Sequence, residues 1–219
     1  MSVRRFAGQL ARLALGLACF GASLALMVRA GLGLGPWDVL HQGLAERLRL
    51  PLGWVVNGVG VLVLLAWMPL RVRPGLGTVC NVLGVGLVVD AVLRVLPAPG
   101  PLSLRVAFLV AGIAGTAVGT GLYLGAGLGP GPRDGLMTGL ARRGHSIRAV
   151  RTAIEVGALV AGFALGGTVG IGTAAYALAI GPLVQLTLPL LAGPAARHHP
   201  EVPHDRSARR CGRHLVPLG

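Results

Sequence analysis

Residues 31–45 read GLGLGPWDVLHQGLA, and residues 127–141 read GLGPGPRDGLMTGLA. Ten of the fifteen positions are identical, in the same order, at an offset of 96. Each copy places three glycines at alternate positions, then a proline, then an aspartate two residues further on. Glycine reaches backbone conformations closed to other residues, and proline suits the first turn of a helix. Asp38 and Asp134 then fall in that first turn, where a carboxylate complements free N–H groups and the helix dipole. Each phrase therefore predicts the end of one apolar segment, a break, and a short helix of about twelve residues.

A second pair of stretches lies 95 positions apart: GLGTVCNVLGVGLVVD (Gly75 to Asp90) and GIGTAAYALAIGPLVQ (Gly170 to Gln185). They share the Gly-x-Gly-Thr opening, with Thr78 matching Thr173. A one-residue deletion between the blocks reconciles the two offsets. Ordered matches that include Pro36/Pro132 and Asp38/Asp134 mark a duplicated unit, although glycine and leucine are abundant throughout.

The segments between these phrases are apolar. The chain has 219 residues, 53% hydrophobic and 12% charged, with a mean hydropathy of +0.73. The charged share is about half that of a soluble domain. Uncharged runs of 21 residues (50–70) and 27 residues (106–132) occur, residues 74–93 carry one charge, Asp90, and residues 152–196 carry one charge, Glu155. GGTVGIG (Gly166 to Gly172) divides that last run. With the N-terminal run Leu13 to Val28, six spans result, each near the ~20 residues that a bilayer requires. The N-terminal segment is read as an uncleaved anchor, because its apolar run outlasts a signal-peptide core and leads directly into the first phrase.

All twenty basic residues are arginine, and the net charge is +13. They flank apolar runs and form no single basic patch, which excludes a nucleic-acid reading. With the N-terminus in the cytoplasm, fifteen arginines fall on the cytoplasmic side and five on the other. Arginine bias sets orientation, so both termini are expected in the cytoplasm of a bacterial inner membrane. Cys19, Cys80 and Cys211 have neither disulfide nor zinc spacing.

A unit of three spans is odd, so the second copy enters the membrane inverted. The expected architecture is an all-α polytopic membrane protein of about six transmembrane helices, built as two inverted three-span repeats. Residues 1–97 form the first repeat and 98–193 the second. Residues 194–219 form a basic, disordered cytoplasmic tail with an affinity for anionic headgroups. Sites of inverted-repeat transporters lie at the repeat interface near the midplane.

The chain also resembles the YczE/YyaS/YitT family of bacterial integral membrane proteins, and YczE-like members in particular. The resemblance rests on AGLGLGPWDVLHQGLA (Ala30 to Ala45) and its echo AGLGPGPRDGLMTGLA (Ala126 to Ala141), and extends to about Gly193. It implies a polytopic bacterial membrane protein and no settled activity.

Candidate substrate or ion ligands are Gly33, Gly35 and Asp38 in the first phrase, and Gly129, Gly131, Arg133 and Asp134 in the second. Facing helix N-termini would favour an anion, and the aspartates a proton or cation. Arg133 replaces Trp37 in the second copy and adds a positive charge there. The plain alternative is that each phrase is only a helix start. Secondary candidates are Asn81, Asp90, Glu155, Tyr176 and Gln185, of which Asn81/Tyr176 and Asp90/Gln185 occupy corresponding places. Asp90 and Arg94, like Arg151 and Glu155, have ordinary i,i+4 ion-pair spacing. His41, with Met137 opposite it, reads as a lone interfacial histidine.

No catalytic motif is present: there is no HExxH, no Gly-x-Ser-x-Gly and no metal cluster. No enzyme activity, cofactor or metal is expected. The expected function is a small-solute or ion transporter with its site between inverted repeats. The alternative is a membrane protein that scaffolds or regulates a partner. The bilayer is the expected surrounding, with a homo-oligomer or another membrane protein as a possible further partner.

Overall fold

A computed structural model of the chain describes residues 3–144 and 146–191. The tail at 194–219, and the headgroup affinity expected of it, lie outside the described residues. The described residues form eight helices: α1 (Val3–Ala30), α2 (Pro36–Leu48), α3 (Leu52–Leu70), α4 (Leu76–Val95), α5 (Leu102–Gly125), α6 (Pro132–Ala141), α7 (Ile147–Ala164) and α8 (Ile171–Leu191).

Five of them, α1, α3, α4, α5 and α8, are long and apolar enough to cross a membrane. α7 has 18 residues but carries Arg148, Arg151 and Glu155. Those three charges keep it out of that set. Even so, Val156, Val160 and Phe163 form an exposed apolar stripe along it. The other outer faces are equally apolar: Trp54 and Met68 on α3, Leu87 on α4, and Leu178 on α8 are each two-thirds exposed or more. A surface of this kind is stable against lipid chains and not against water.

The core is built on α1 against α5. Small residues let the two backbones touch: a Cβ on Gly119 would stand 2.8 Å from the Phe20 amide, and one on Gly16 2.6 Å from that of Tyr123. α4 packs beside α1, with Leu13, Leu17 and Leu24 meeting Val85 and Val89. α8 lies beside α5, where the Thr187 hydroxyl donates to the Ala117 carbonyl at 2.9 Å. Asn57 bridges α3 and α4 in both directions. Its Nδ2 donates to the Leu83 carbonyl and its Oδ1 accepts from the Gly86 amide, each at 3.0 Å.

Polar contacts sort the helix ends into two groups. At one end of the bundle the Gln9 amide donates to the Ala126 carbonyl at 2.9 Å. There too the Arg143 guanidinium donates to the Pro69 carbonyl at 2.8 Å. At the other end Arg105 donates to the Ala30 carbonyl at 2.7 Å and to that of Gly31 at 2.9 Å. Arg29 reaches the Leu93 carbonyl at that same end. These guanidiniums satisfy carbonyls that helix termini leave without a partner.

The chain breaks where α1 and α5 end. After Ala30 it runs extended through Gly33, whose φ of +117° lies in the region that favours glycine; Gly129, after α5, has φ +127°. Each loop is then held by backbone from elsewhere in the sequence. The Gly172 amide donates to the Leu32 carbonyl at 2.8 Å, and the Gly77 amide to the Leu128 carbonyl at 2.8 Å. Thr78, fully buried, accepts from the Gly75 amide at 3.2 Å and donates to the Pro130 carbonyl at 2.7 Å. From Gly35 and Gly131 the chain turns into α2 and α6, each opening on a proline at N1.

α2 backs onto α7 and α6 onto α3, with size complementarity in both places. Gly162 on α7 admits the backbone at Val39 and Leu40, whereas Gly135 on α6 admits the Trp67 ring. The Trp67 indole donates to the Pro132 carbonyl at 3.0 Å and so fixes where α6 begins. Gln42 on α2 accepts from the Thr168 amide at 2.9 Å, which ties α2 to the turn before α8.

Candidate functional site

The N-termini of α2 and α6 converge from opposite ends of the bundle. The Arg133 guanidinium, in the first turn of α6, lies 5.5 Å from the Trp37 ring in the first turn of α2. It lies 5.9 Å from the Phe20 ring of α1. Both distances fit cation–π attraction. A cavity of about 490 Å³ opens here, within the size range of small-molecule sites.

Its walls are of two kinds. Val56, Val63, Val82 and Val85 from α3 and α4, with Ile180 and Val184 from α8, make an apolar lining. The polar part is made by Trp37, His41, Tyr123, Arg133, Asp134 and Tyr176, and Arg151 and Glu155 of α7 close it. α8 carries Pro182 inside the helix beside this cavity. The missing proline N–H leaves a carbonyl of the preceding turn without its helical partner.

Asp38 and Asp134 are equivalent in sequence and unequal in surroundings. Asp38 is 5% exposed. Its Oδ1 stands 3.5 Å from His41 Nδ1 and 3.6 Å from Arg133 Nη2. Those distances give Coulomb attraction without a formed hydrogen bond. Asp38 Oδ1, His41 Nδ1 and Trp37 Nε1 are all buried and lack a hydrogen-bond partner. A buried polar atom left so costs about 1–3 kcal/mol, and three of them sit within five residues. Asp134 is exposed, and its Oδ2 accepts from the buried Tyr123 hydroxyl at 3.0 Å.

The candidates read from sequence divide accordingly. Gly35, Gly131, Arg133, Asp134, Asn81, Glu155, Tyr176 and Gln185 border the cavity. Asp38 lies behind Arg133 and His41. Gly33 and Gly129 lie at the loop crossings, against Thr173 and Thr78, and have a structural place. Asp90 is away from the cavity: its Oδ1 accepts from the Gly53 amide at 2.7 Å, in the first turn of α3. Among the described residues no ion pair joins it to Arg94. Its carboxylate is turned toward α3, where free N–H groups attract it. Arg151 and Glu155 do pair, at 3.0 Å.

Sequence reasoning set aside His41, which is 3% exposed and faces Asp38. Trp37 and Tyr123 also line the cavity, and neither is among the candidates that the sequence offers. The available signal for His41 was its i,i+3 spacing from Asp38 on a helix. Tyr123 carried none, because its partner Asp134 lies beyond a chain break. Among the described residues no three His, Cys, Asp or Glu side chains converge to hold a metal. The arrangement offers a guanidinium, two helix N-termini, a recessed carboxylate with imidazole, and apolar walls: means of holding a small polar or amphipathic ligand and a proton.

Residues 7–189 match the model of a family of unknown function, DUF6198. The chain is similar to an uncharacterized protein of Haemophilus influenzae, 39% identical over 191 residues, which is 87% of this chain and 85% of that one. It is also similar to the uncharacterized membrane protein YczE of Bacillus subtilis, 31% identical over 172 residues, covering 78% and 80% of the two chains. No solved structure matches it.

Proposed function

Starting from a chain that belongs to the DUF6198 family and is a YczE-like membrane protein with several apolar helices, we propose that it is a transporter of small solutes across the bacterial inner membrane. Two inverted halves, α1–α4 and α5–α8, provide alternating access to one cavity. α7 is the sixth span. Its Arg151 and Glu155 face the cavity and its Val156, Val160 and Phe163 face lipid. α2 and α6 are re-entrant half-helices, with N-termini at the centre and C-termini toward opposite faces.

The observation that carries this reading is the meeting of α2 and α6 at one cavity of about 490 Å³. The reciprocal bonds from Gly172 to Leu32 and from Gly77 to Leu128 support it, since residues related by the sequence offsets exchange roles. The sorting of helix ends supports opposite orientations for α1 and α5. The arginine bias supports a cytoplasmic side for both termini.

The test uses single cysteines in a background without Cys19, Cys80 and Cys211. Leu50→Cys follows α2 and Ser146→Cys follows α6; both positions are exposed. A membrane-impermeant thiol reagent applied to intact cells is expected to label Leu50→Cys alone, and Ser146→Cys only after the cells are opened. Labelling of both positions from the same side would remove the inverted arrangement and leave the scaffold reading in its place. With inversion established, uptake of radiolabelled solutes into proteoliposomes tests transport directly.

A further inference from the structure

We infer that the cavity takes an amphipathic organic anion, and that its binding at Arg133 loads one proton onto the Asp38–His41 pair. This rests on the transporter reading above and specifies both the ligand chemistry and the coupled ion.

The anion follows from what surrounds the polar part of the cavity. Two helix N-termini, at Gly35–Trp37 and Gly131–Arg133, present free N–H groups and positive dipole ends to the same space. Trp37 Nε1, buried in the cavity wall and unpartnered, is a further donor. The Arg133 side chain is 26% exposed and is held over Trp37 and Phe20, so its hydrogen-bond donors remain available to a ligand. Two other charged groups on the cavity surface already have partners. Glu155 is paired with Arg151 at 3.0 Å, and Asp134 accepts from the Tyr123 hydroxyl at 3.0 Å. The valine-lined walls take the apolar body of the ligand.

The proton follows from the position of Asp38. Its Oδ1 makes no hydrogen bond; Arg133 at 3.6 Å compensates its charge, and His41 Nδ1 stands at 3.5 Å. His41 on α2 and Arg133 on α6 stand beside it, and the other charged or titratable groups on the adjoining cavity wall are Asp134 on α6, Tyr123 on α5, Tyr176 on α8, and Arg151 with Glu155 on α7. Of these, only Arg133 and Arg151 are cations, and Arg151 is engaged by Glu155. A ligand carboxylate that binds Arg133 forms a new ion pair at the expense of the old one. It leaves a carboxylate buried without compensation, a state that binds a proton instead. The balance is simple: one anion and one proton from solvent enter, no covalent bond changes, and the site's net charge is unchanged. The proton belongs to the pair, shared between the Asp38 oxygen and the His41 nitrogen.

The experiment is calorimetric titration of benzoate into the full chain in lipid nanodiscs at pH 7, with empty nanodiscs as the blank. It is run in imidazole and in Tris, neither of which is an anion and whose ionisation enthalpies differ. The difference in heat is expected to report about one proton taken up per benzoate bound. Asp38→Asn is expected to bind benzoate at least as tightly with no proton uptake. Arg133→Gln is expected to weaken binding tenfold or more. If Asp38→Asn does not fold, the pH dependence of the wild type serves instead: benzoate affinity rises as pH falls from 8.5 to 6, approaching tenfold per unit. Benzoate bound without proton uptake, uptake unchanged in Asp38→Asn, or no benzoate binding to the wild type each overturns the inference. Because binding is read without transport, proton-linked binding combined with no movement across liposomes would refute the transport reading alone.

Discussion

Replacing Gly33 by alanine tests how the break between α1 and α2 is held. Gly33 has φ +117°, a conformation that costs an L-residue about 1–3 kcal/mol. The added Cβ would lie 2.7 Å from Thr173 Oγ1 and 2.8 Å from the amide nitrogens of Gly170 and Thr173. Those are contacts to backbone and to a short side chain, so the loop must move away from the start of α8. The first bond lost is Gly172 N–H to Leu32 C=O, 2.8 Å long; buried groups left unpaired add about 1–3 kcal/mol. Together the destabilisation is about 2–6 kcal/mol. For a chain of this length each kcal/mol lowers the unfolding midpoint by roughly 2–4 °C, so the drop is roughly 4–24 °C. Gly58→Ala is the control: it lies in α3 with nothing within 4 Å of the new Cβ, and alanine is favoured there by about 1 kcal/mol. Thermal unfolding in detergent, followed by size-exclusion chromatography with tryptophan fluorescence, gives both midpoints. A Gly33→Ala midpoint within about 2 °C of wild type, less than 1 kcal/mol by this scale, would refute the clamping of this loop by α8.

Three further outcomes are expected. Asp90→Ala removes the acceptor of the Gly53 amide and lowers stability by about 1–2 kcal/mol; because Asp90 lies off the cavity, benzoate affinity stays at the wild-type value in the same preparation. Trp67→Phe deletes the indole bond to the Pro132 carbonyl, which costs about 1–3 kcal/mol and appears as a lower unfolding midpoint. Arg49 ends α2 with φ 55°, where glycine relieves the strain, so Arg49→Gly raises stability by about 1 kcal/mol, visible as a midpoint shift of a few degrees.

The helix breaks were legible because backbone conformation is local. Gly33, Pro36 and Asp38 announce a turn and a helix start with no knowledge of what packs nearby. Asp90 was half legible. Its spacing to Arg94 suggested a pair along one helix, whereas the stronger claim on it came from the α3 N-terminus across the interface. The cavity was the least legible feature. Its composition depends on α2 and α6 meeting end to end, and no local pattern encodes that Trp37, separated from Arg133 by 95 intervening residues, lies under its guanidinium. α7 shows the limit from the other side, since Arg151 and Glu155 weaken its apolar signal where they turn inward.

The paired bonds at the two loop crossings bear on how the chain matures. Leu32 leaves the ribosome some 140 residues before Gly172, the donor its carbonyl requires. Until α8 arrives, the first break has an unsatisfied carbonyl in an apolar surrounding, and α1 has no finished end. Synthesis of the front half therefore yields helices but not a completed loop crossing. The second break differs, because Gly77 is made before Leu128 and the clamp awaits the loop. Completion consequently falls on the closing residues of the back half, and the two halves must be present together before either loop crossing is closed.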